Sequence, residues 1–159
     1  MILVTTGTNG AAFDRLLRQI EYIDSAEDVL VQHGPSQIRP SGATCVPFLS
    51  FEALVDAVRS ARAVVMHGGV GSVLIAAMEG KRPFVVPRLA WYGEAVDDHQ
   101  LTFARRLDSD GIVTLVEDPA RLPHLLHGNV RSAQRLGRPD PRLVRELKEY
   151  FAANGATSG

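Results

Sequence analysis

Short runs of β-branched and apolar residues alternate with amphipathic segments along this chain, and the alternation limits its possible folds more than any other feature. The first run, Ile2–Thr5, precedes a segment in which apolar residues from Phe13 to Ile23 recur at helical spacing. Ala63–Met66 and Pro83–Pro87 are further runs of this kind. Near-continuous apolar runs are typical of strands buried on both faces. We therefore predict a Rossmann-like α/β fold, a parallel sheet covered by helices on both faces.

The same criteria assign the remaining elements. The other predicted strands are Val29–Val31, Cys45–Phe48 and Ile112–Val116. Further helices are predicted from Ser50, over Val73–Glu79 with Gly80 at its end, and around Leu101–Leu107. Two C-terminal helices are predicted to start at the Asp-Pro pairs of residues 118–119 and 140–141, because Asp caps free amides and Pro suits the first helical position.

Size and composition fit one domain. Of the 159 residues, we assign 1–153 to a single domain and 154–159 to a flexible tail. The 17 Lys and Arg residues against 18 Asp and Glu residues give no basic field of the kind that binds nucleic acid. A lone Cys45, with no secretory signal and no apolar span, favours a cytoplasmic location.

Ligands of such sheets bind beyond the carboxyl ends of the strands, and the turn after the first strand is one candidate site. Thr5–Gly10 is rich in glycine and hydroxyl groups and opens onto a helix N-terminus, which attracts anions such as phosphate. A tight turn that needs glycine for its backbone explains the same residues equally well. The turn lacks the full glycine fingerprint of a nicotinamide-binding domain, which disfavours that class.

The turn His67–Ser72 is the second candidate and carries more information. Three glycines within four positions remove side chains where a strand meets a helix, so a phosphate can approach the backbone amides. We favour this anion site over a turn that is glycine-rich only for packing. His67 has no second His or Cys at metal-ligand spacing, so we predict no metal site. Ser72 lacks the G-x-S-x-G elbow of a hydrolase.

The loop Trp91–Gln100 is the third candidate. Its carboxylates and amide are suited to bidentate pairing with the vicinal hydroxyls of a sugar. A helix cap formed by Asp97 or Asp98, with the rest of the loop in solvent, accounts for the same residues. The residues alone leave both interpretations open.

Together, three segments resemble the C-terminal, donor-binding domain of family-28 glycosyltransferases. They are MILVTTGTNGAAFDRLL, VVMHGGVGSVLIAAMEGKRPFVVPR and YGEAVDDHQLTFARRL, and the resemblance runs from Met1 to Pro119 in unbroken order. Three motifs in register are more specific than one glycine turn. The chain is similar in particular to stand-alone exopolysaccharide subunits of the PssE type and to the small catalytic subunit of the eukaryotic N-glycan UDP-GlcNAc transferase.

The resemblance implies the donor-binding half of a GT-B enzyme that transfers a hexosyl unit from a UDP-sugar to a lipid-linked saccharide, with inversion and without a cofactor. A membrane-attached, PssD-like partner is expected to bring the acceptor and the general base, and to hold the chain at the inner face of the membrane. No catalytic residue is therefore assigned here. The residues that the resemblance assigns to the nucleotide-sugar are Gly7, Thr8, Asn9, Phe48, Leu49, His67, Gly68, Gly69, Gly71, Ser72, Glu94, Asp98, His99 and Gln100.

Two positions depart from the family's pattern. Ile75 stands where the family usually has a Glu assigned to the ribose hydroxyls, and Ala95 stands where related sequences tend to have His. Glu79, one residue before Gly80, is expected to point elsewhere on the helix. Ile75 favours an alternative function, a non-catalytic stabilising or binding subunit of a glycosyltransferase complex. Without its partner, the isolated chain is expected to bury exposed apolar surface as a homodimer.

Overall fold

A single parallel sheet organises the fold, as predicted. The computed structural model describes residues 1–23 and 26–127, together with residues 144, 145 and 149. Within these residues the sheet has six strands in the order β3-β2-β1-β4-β5-β6, and every neighbouring pair is parallel. The strands are β1 (Ile2–Thr5), β2 (Val29–Gln32), β3 (Ala43–Val46), β4 (Ala63–His67), β5 (Phe84–Val86) and β6 (Thr114–Leu115).

Helices cover both faces of the sheet, because successive strand residues point to opposite sides. Leu3 of β1 packs in a core cluster with the helices Phe51–Ser60, Val70–Met78 and His99–Ser109. Its neighbours Ile2 and Val4 pack in a second cluster with the helices Asp14–Ile20 and Leu122–His127. The predicted two-faced sandwich is confirmed. The helices are α1 (Asp14–Ile20), α2 (Phe51–Ser60), α3 (Val70–Met78), α4 (His99–Ser109) and α5 (Leu122–His127), with 3₁₀ turns at Ala90–Tyr92 and Pro119–Arg121.

The strand order fixes where a ligand can bind. The chain runs from β1 outward through β2 to β3 and then returns to β4 on the other side of β1, so the order reverses between β1 and β4. Pairing of Thr5 with Met66 aligns the ends of these two strands. The turns that follow them therefore lie side by side at the crevice where α/β sheets bind ligands.

Two strands differ from the sequence-based predictions by two residues at an end, and three others differ by one. β3 is Ala43–Val46 rather than Cys45–Phe48, because Pro47 has no N–H to continue the ladder and Phe48 lies beyond it. β6 contains only Thr114–Leu115. Ile112 is buried as expected, but its amide donates to the Leu107 carbonyl at the end of α4 and not to a strand.

Helix α3 begins three residues earlier than predicted, at Val70 instead of Val73, and Gly71 lies in its first turn. Glycine has a low helix propensity, which is why the prediction left it in the turn. The other end is as predicted. Gly80 has φ +68°, and its amide donates to the Ala77 carbonyl at 3.0 Å, which closes the helix.

The predicted helix starts at Ser50 and Asp118 are confirmed. The Ser50 hydroxyl accepts a hydrogen bond from the Ala53 amide at 3.2 Å, and the Asp118 carboxylate accepts one from the Ala120 amide at 3.0 Å. Asp118 opens the 3₁₀ turn that leads into α5. The predicted start at residues 140–141 and the predicted tail 154–159 lie outside the described residues.

None of the helices in the described ranges combines the length and the hydropathy needed to cross a bilayer.

Candidate functional site

A cleft of about 370 Å³ lies at the carboxyl ends of β1, β2 and β4. Its walls come from the turn after β1, the last residue of β2, the segment that leads into α2, and the first turn of α3. This is the crevice that the strand order predicts. The lining residues are Thr5, Gly7, Thr8, Gln32, Phe48, Leu49, Leu54, His67, Gly69, Gly71 and Ser72.

The imidazole of His67 lies between two glycine backbones at the base of the cleft. A Cβ atom on Gly7 would stand 2.3 Å from His67 Cε1, and one on Gly69 would stand 2.2 Å from His67 Nε2. Gly7 also has φ +76°, which disfavours any side chain. The sequence analysis expected glycines here to admit a phosphate. The structure adds a second requirement, space for the imidazole ring.

Burial keeps His67 neutral. Loss of hydration and the nearby positive charge of Arg88 lower the pKa of His67 from 6.5 to about 4. Its Nδ1 atom is buried and has no hydrogen-bond partner among the described residues. At neutral pH the cleft therefore contains an uncharged imidazole that can exchange hydrogen bonds without adding a charge.

Thr5, from the first candidate turn, and Gln32, which the sequence analysis did not select, shape the floor of the cleft. The Thr5 hydroxyl donates to Gln32 Oε1, and Gln32 Nε2 donates to the Gly7 carbonyl at 2.9 Å. The Gly7 amide in turn donates to the Thr5 hydroxyl at 3.2 Å. These bonds fix the turn after β1. The sequence signal that could have identified Gln32 is a polar residue directly after the apolar run Val29–Val31.

The first turn of α3 supplies backbone donors. Gly69 occupies the N-cap with extended backbone (φ −74°, ψ 130°), and no side chain among the described residues caps the helix. The Val73 amide is the first to bond within it, to the Gly69 carbonyl at 3.1 Å. The amides of residues 70–72 precede that bond, and amides at a helix start combine with the helix dipole to attract anions. The hydroxyl-bearing Ser72 lines the same wall.

Three of the lining residues are apolar. Phe48 is 62% exposed, while Leu49 and Leu54 are partly buried against the core. An exposed aromatic ring and leucines in a cleft suit a planar ring such as a nucleobase.

The loop between β5 and α4 is fastened by its own polar groups. Glu94 is only 4% exposed, forms an ion pair with Arg15 (Nη2–Oε2 2.8 Å), and accepts from the Leu89 amide at 3.2 Å. Asp98 accepts from the Ala90 amide at 2.8 Å. These bonds stabilise the loop itself, and neither residue lines the cleft.

The residues at the start of α4 also make local contacts. Asp97 accepts from the amide and the ring of His99, the first residue of α4. The N-cap residue is Asp98, and its side chain makes no capping hydrogen bond, so the expected cap is formed only in part, from Asp97. Gln100 is buried, and its Oε1 accepts from the Arg88 amide at 3.1 Å. A Cβ on Gly68 would stand 3.1 Å from the Gln100 Cβ, so Gly68 allows this helix to approach β4.

The structure thus gathers eight of the fourteen predicted site residues around the cleft, and six lie elsewhere. The eight are Gly7, Thr8, Phe48, Leu49, His67, Gly69, Gly71 and Ser72. The six are Asn9, whose carboxamide oxygen accepts from the Ala11 amide at 2.8 Å, and Gly68, Glu94, Asp98, His99 and Gln100.

Ile75 on α3 and Glu79 just after it bear on whether the cleft offers a carboxylate to a ribose. Ile75 packs against the core cluster of α2, α3 and α4 and is not among the cleft residues. Glu79 points toward α2, as expected, where it pairs with Arg59 (Nε–Oε2 2.9 Å). Neither one, therefore, brings a carboxylate to the cleft. In residues 1–23 and 26–127, no three His, Cys, Asp or Glu side chains cluster as a metal site would require.

Comparison with known proteins gives a consistent picture of the fold. No family model and no curated protein matches the chain. Among solved structures, the calicheamicin glycosyltransferase CalG4 superposes with a TM-score of 0.64 at 18% identity, over 99% of this chain and 43% of that one. The chain shares its fold with part of the GT-B glycosyltransferases. MurG of Acinetobacter baumannii gives a TM-score of 0.61 at 19% identity, over 96% of this chain and 49% of that one.

A third structure contains a nucleotide. The glycosyltransferase VinC in complex with dTDP superposes with a TM-score of 0.55 at 20% identity, over 96% of this chain and 37% of that one. The chain therefore spans less than half the length of each of these three proteins. At such identities the similarity shows the fold alone.

Gly7 and Gly42 form a matched pair for testing the packing of His67. Both have a left-handed backbone, with φ +76° and +78°, but a Cβ on Gly42 would meet nothing within 4 Å. We expect Gly42→Ala to cost about 1–2 kcal/mol from its backbone alone. Gly7→Ala should cost about 1–3 kcal/mol more, because the methyl group displaces the imidazole. Urea unfolding measures both, and equal losses would contradict the wedged placement of His67.

The lowered pKa of His67 predicts a pH dependence of stability. The unfolded chain binds a proton near the ordinary value of 6.5 and the folded chain only near about 4, so acid favours unfolding in this window. The effect of His67 on the free energy of unfolding is most favourable above about pH 6.5. As the pH drops toward 4, the free energy of unfolding falls by about 3 kcal/mol through this residue. Urea unfolding between pH 7 and 4 should show a shallower pH dependence in His67→Gln than in the native chain. Equal slopes would contradict the burial of a neutral imidazole.

Proposed function

We propose that this chain is the donor-binding part of a glycosyltransferase and that its cleft holds the nucleoside diphosphate of a UDP-sugar. The observation that carries the proposal is the arrangement of the cleft at the β1–β4 crevice. Its lining combines the start of α3, which no described side chain caps, and the Ser72 hydroxyl with an exposed aromatic ring and two leucines. Such a cleft offers anion-binding donors and an apolar platform within one nucleotide's reach.

The diphosphate is placed at the start of α3. Backbone amides of residues 70–72, the Ser72 hydroxyl and the helix dipole all favour negative charge there, and none of the lining residues that the structure describes carries a carboxylate to oppose it. Neutral His67 adds a hydrogen-bonding group without a fixed charge. The nucleobase is placed against Phe48 and Leu49. The solved complex of VinC with dTDP supports a nucleoside diphosphate as the ligand of this fold.

The proposed reaction is direct displacement at the anomeric carbon of the sugar. The bond from that carbon to the diphosphate oxygen breaks, a bond to the acceptor hydroxyl oxygen forms with inversion, and the hydroxyl proton passes to a general base. As UDP leaves, negative charge develops on its phosphates, where the α3 N-terminus stabilises it. Electrostatic stabilisation of the leaving group is this chain's contribution to catalysis.

A partner is proposed to supply the rest. CalG4, MurG and VinC each have more than half of their length unmatched by this chain. We place the general base and the lipid-linked acceptor on a membrane-attached, PssD-like subunit that holds this chain at the inner face of the membrane. The product would be a lipid-linked saccharide of polysaccharide synthesis.

One observation favours a second candidate, a non-catalytic stabilising or binding subunit. Ile75 packs against the core at the position that the family usually gives to a ribose-binding Glu, so the described cleft residues include no carboxylate for the ribose diol. A good bidentate contact to a charged group is worth about 1–3 kcal/mol, so its loss weakens nucleotide binding without excluding it.

Thermal unfolding with nucleotides separates the two candidates. A ligand that binds only the folded chain raises its melting temperature, so we expect UDP and UDP-sugars to raise it and ADP and NADH to leave it unchanged. Ser72→Ala should weaken UDP binding about tenfold, because it removes one hydrogen bond to a charged group. Ser109→Ala is the matched control, since that hydroxyl donates only to the Arg105 carbonyl within α4.

The outcomes are distinct. A uridine-specific shift that Ser72→Ala reduces and Ser109→Ala leaves intact supports the donor-binding function. A stable chain with no shift from any UDP compound contradicts it and leaves the non-catalytic candidate.

A further inference from the structure

Arg88 is the largest fully buried side chain among the described residues, and it follows β5 outside the cleft lining. We propose that Arg88 is a positioning residue of the cleft, whose guanidinium holds both ends of the loop at residues 7–10 in place. The inference rests on the proposed function only in taking the cleft as a nucleotide site. The sequence analysis assigned no role to Arg88.

Arg88 binds backbone carbonyls on both sides of the loop at residues 7–10. Its Nη2 donates to the Thr6 carbonyl at 2.8 Å, and its Nη1 donates to the Ala11 carbonyl at 3.0 Å and the Ala12 carbonyl at 3.3 Å. Thr6 precedes the loop at residues 7–10, and Ala11 and Ala12 follow it. One side chain therefore spans the loop that contributes Gly7 and Thr8 to the cleft.

A second set of contacts fixes Arg88 itself. Its Nη1 also donates to the Glu94 carbonyl at 3.2 Å, and its guanidinium carbon lies 4.6 Å from the centre of the Phe13 ring. The Glu94 carboxylate is engaged by Arg15, whose own guanidinium carbon lies 4.8 Å from the centre of the Tyr92 ring. Arg88 is thus held between α1 and the loop after β5. It links the loop at residues 7–10 to the loop after β5.

The chemistry of this arrangement requires arginine. A planar guanidinium reaches several carbonyls at once and stacks on an aromatic ring, whereas an ammonium group has a compact set of three donors and no plane to stack. Lys in this position keeps the charge but cannot hold both ends of the loop. Met keeps much of the apolar stem and removes the charge.

The charge of Arg88 also acts on the cleft. No carboxylate among the described residues hydrogen-bonds to its guanidinium, although the charge of Glu94 acts on it and opposes the lowering of the Arg88 pKa by burial. The positive charge of Arg88 lowers the pKa of His67. Arg88 thus helps to keep the cleft's imidazole neutral. A residue that served only to fill space would not affect His67 in this way.

The test compares Arg88→Lys, Arg88→Met and the native chain by NMR without ligand. We expect backbone order parameters at residues 7–10 to fall from about 0.85 to below about 0.6 in both variants, because the loop loses its anchor. The pKa of His67 should rise in Arg88→Met and stay low in Arg88→Lys, which retains the charge. Binding of UDP should weaken about tenfold in both variants if the ordered loop contributes about 1.4 kcal/mol to binding.

Arg105→Lys is the control, since Arg105 pairs with Glu117 on the surface (2.9 Å) and should change none of these quantities. Native order parameters at residues 7–10 in the folded variants, or a His67 pKa that is unchanged in Arg88→Met, would overturn the proposal. If the native chain binds no nucleotide, the proposed function fails, while the ligand-free measurements still decide the role of Arg88.

If the Arg88 variants do not fold, NMR of the Arg88 side chain in the native chain tests the proposal. Four carbonyl contacts hinder rotation of the guanidinium, so its Nη protons should give separate, slowly exchanging signals. A single averaged Nη signal would overturn the proposal.

Discussion

The parallel pairing of β1 with β4 is the constraint on which the site depends. Their register places Thr5 beside Met66, so the turn that begins at Gly7 and the turn that begins at His67 share one edge of the sheet. The imidazole of His67 fills the space between the two turns, and glycine at positions 7 and 69 is what leaves room for it. A shift of this pairing by one residue would move each side chain of the shifted strand to the opposite face of the sheet and disrupt both core clusters. The packing of the two faces therefore also fixes the register on which the cleft depends.

The site departs from the rule that buried polar atoms have partners. Within the described ranges, the buried side-chain nitrogens without a hydrogen bond are His67 Nδ1 and Arg88 Nε, and both belong to the base of the cleft and its support. Most buried polar groups in folded proteins are paired, so exceptions of this kind call for a functional explanation. The arrangement is consistent with a cleft in which the ligand, the α3 amides and a neutral imidazole share hydrogen bonds.

The sequence predicted the parts of the fold that follow from patterns of consecutive residues. All six strands, the caps at Ser50 and Asp118, and the glycine end of α3 were recognisable, because each depends on local burial or local hydrogen bonding. Contacts between distant segments were not recognisable. The bonds from Arg88 reach Thr6, Ala11 and Ala12, more than seventy positions away, and no local pattern distinguishes this arginine from a solvated one.

In the loop after β5, residues that the sequence suggested for ligand binding have other partners in the structure. Its carboxylates suggested sugar recognition, but Glu94 is occupied by Arg15 across the fold, which depends on tertiary structure. The roles proposed for Asp98, His99 and Gln100 toward a donor sugar remain predictions, since their contacts here are within the loop and with Arg88. The eight predicted residues that do line the cleft come mostly from the two glycine turns, where backbone geometry and not side-chain identity carries the signal.

The central claim is that a nucleoside diphosphate binds with its phosphates at the start of α3, and an amide-resolved NMR titration with UDP tests it most directly. The account predicts that the largest shifts occur at residues 69–72 and at Gly7, with smaller shifts at Phe48 and Leu49 and none on the far side of the sheet at α5. Saturable binding with its largest shifts away from the β1–β4 crevice would contradict the account, as would the absence of any shift at residues 69–72.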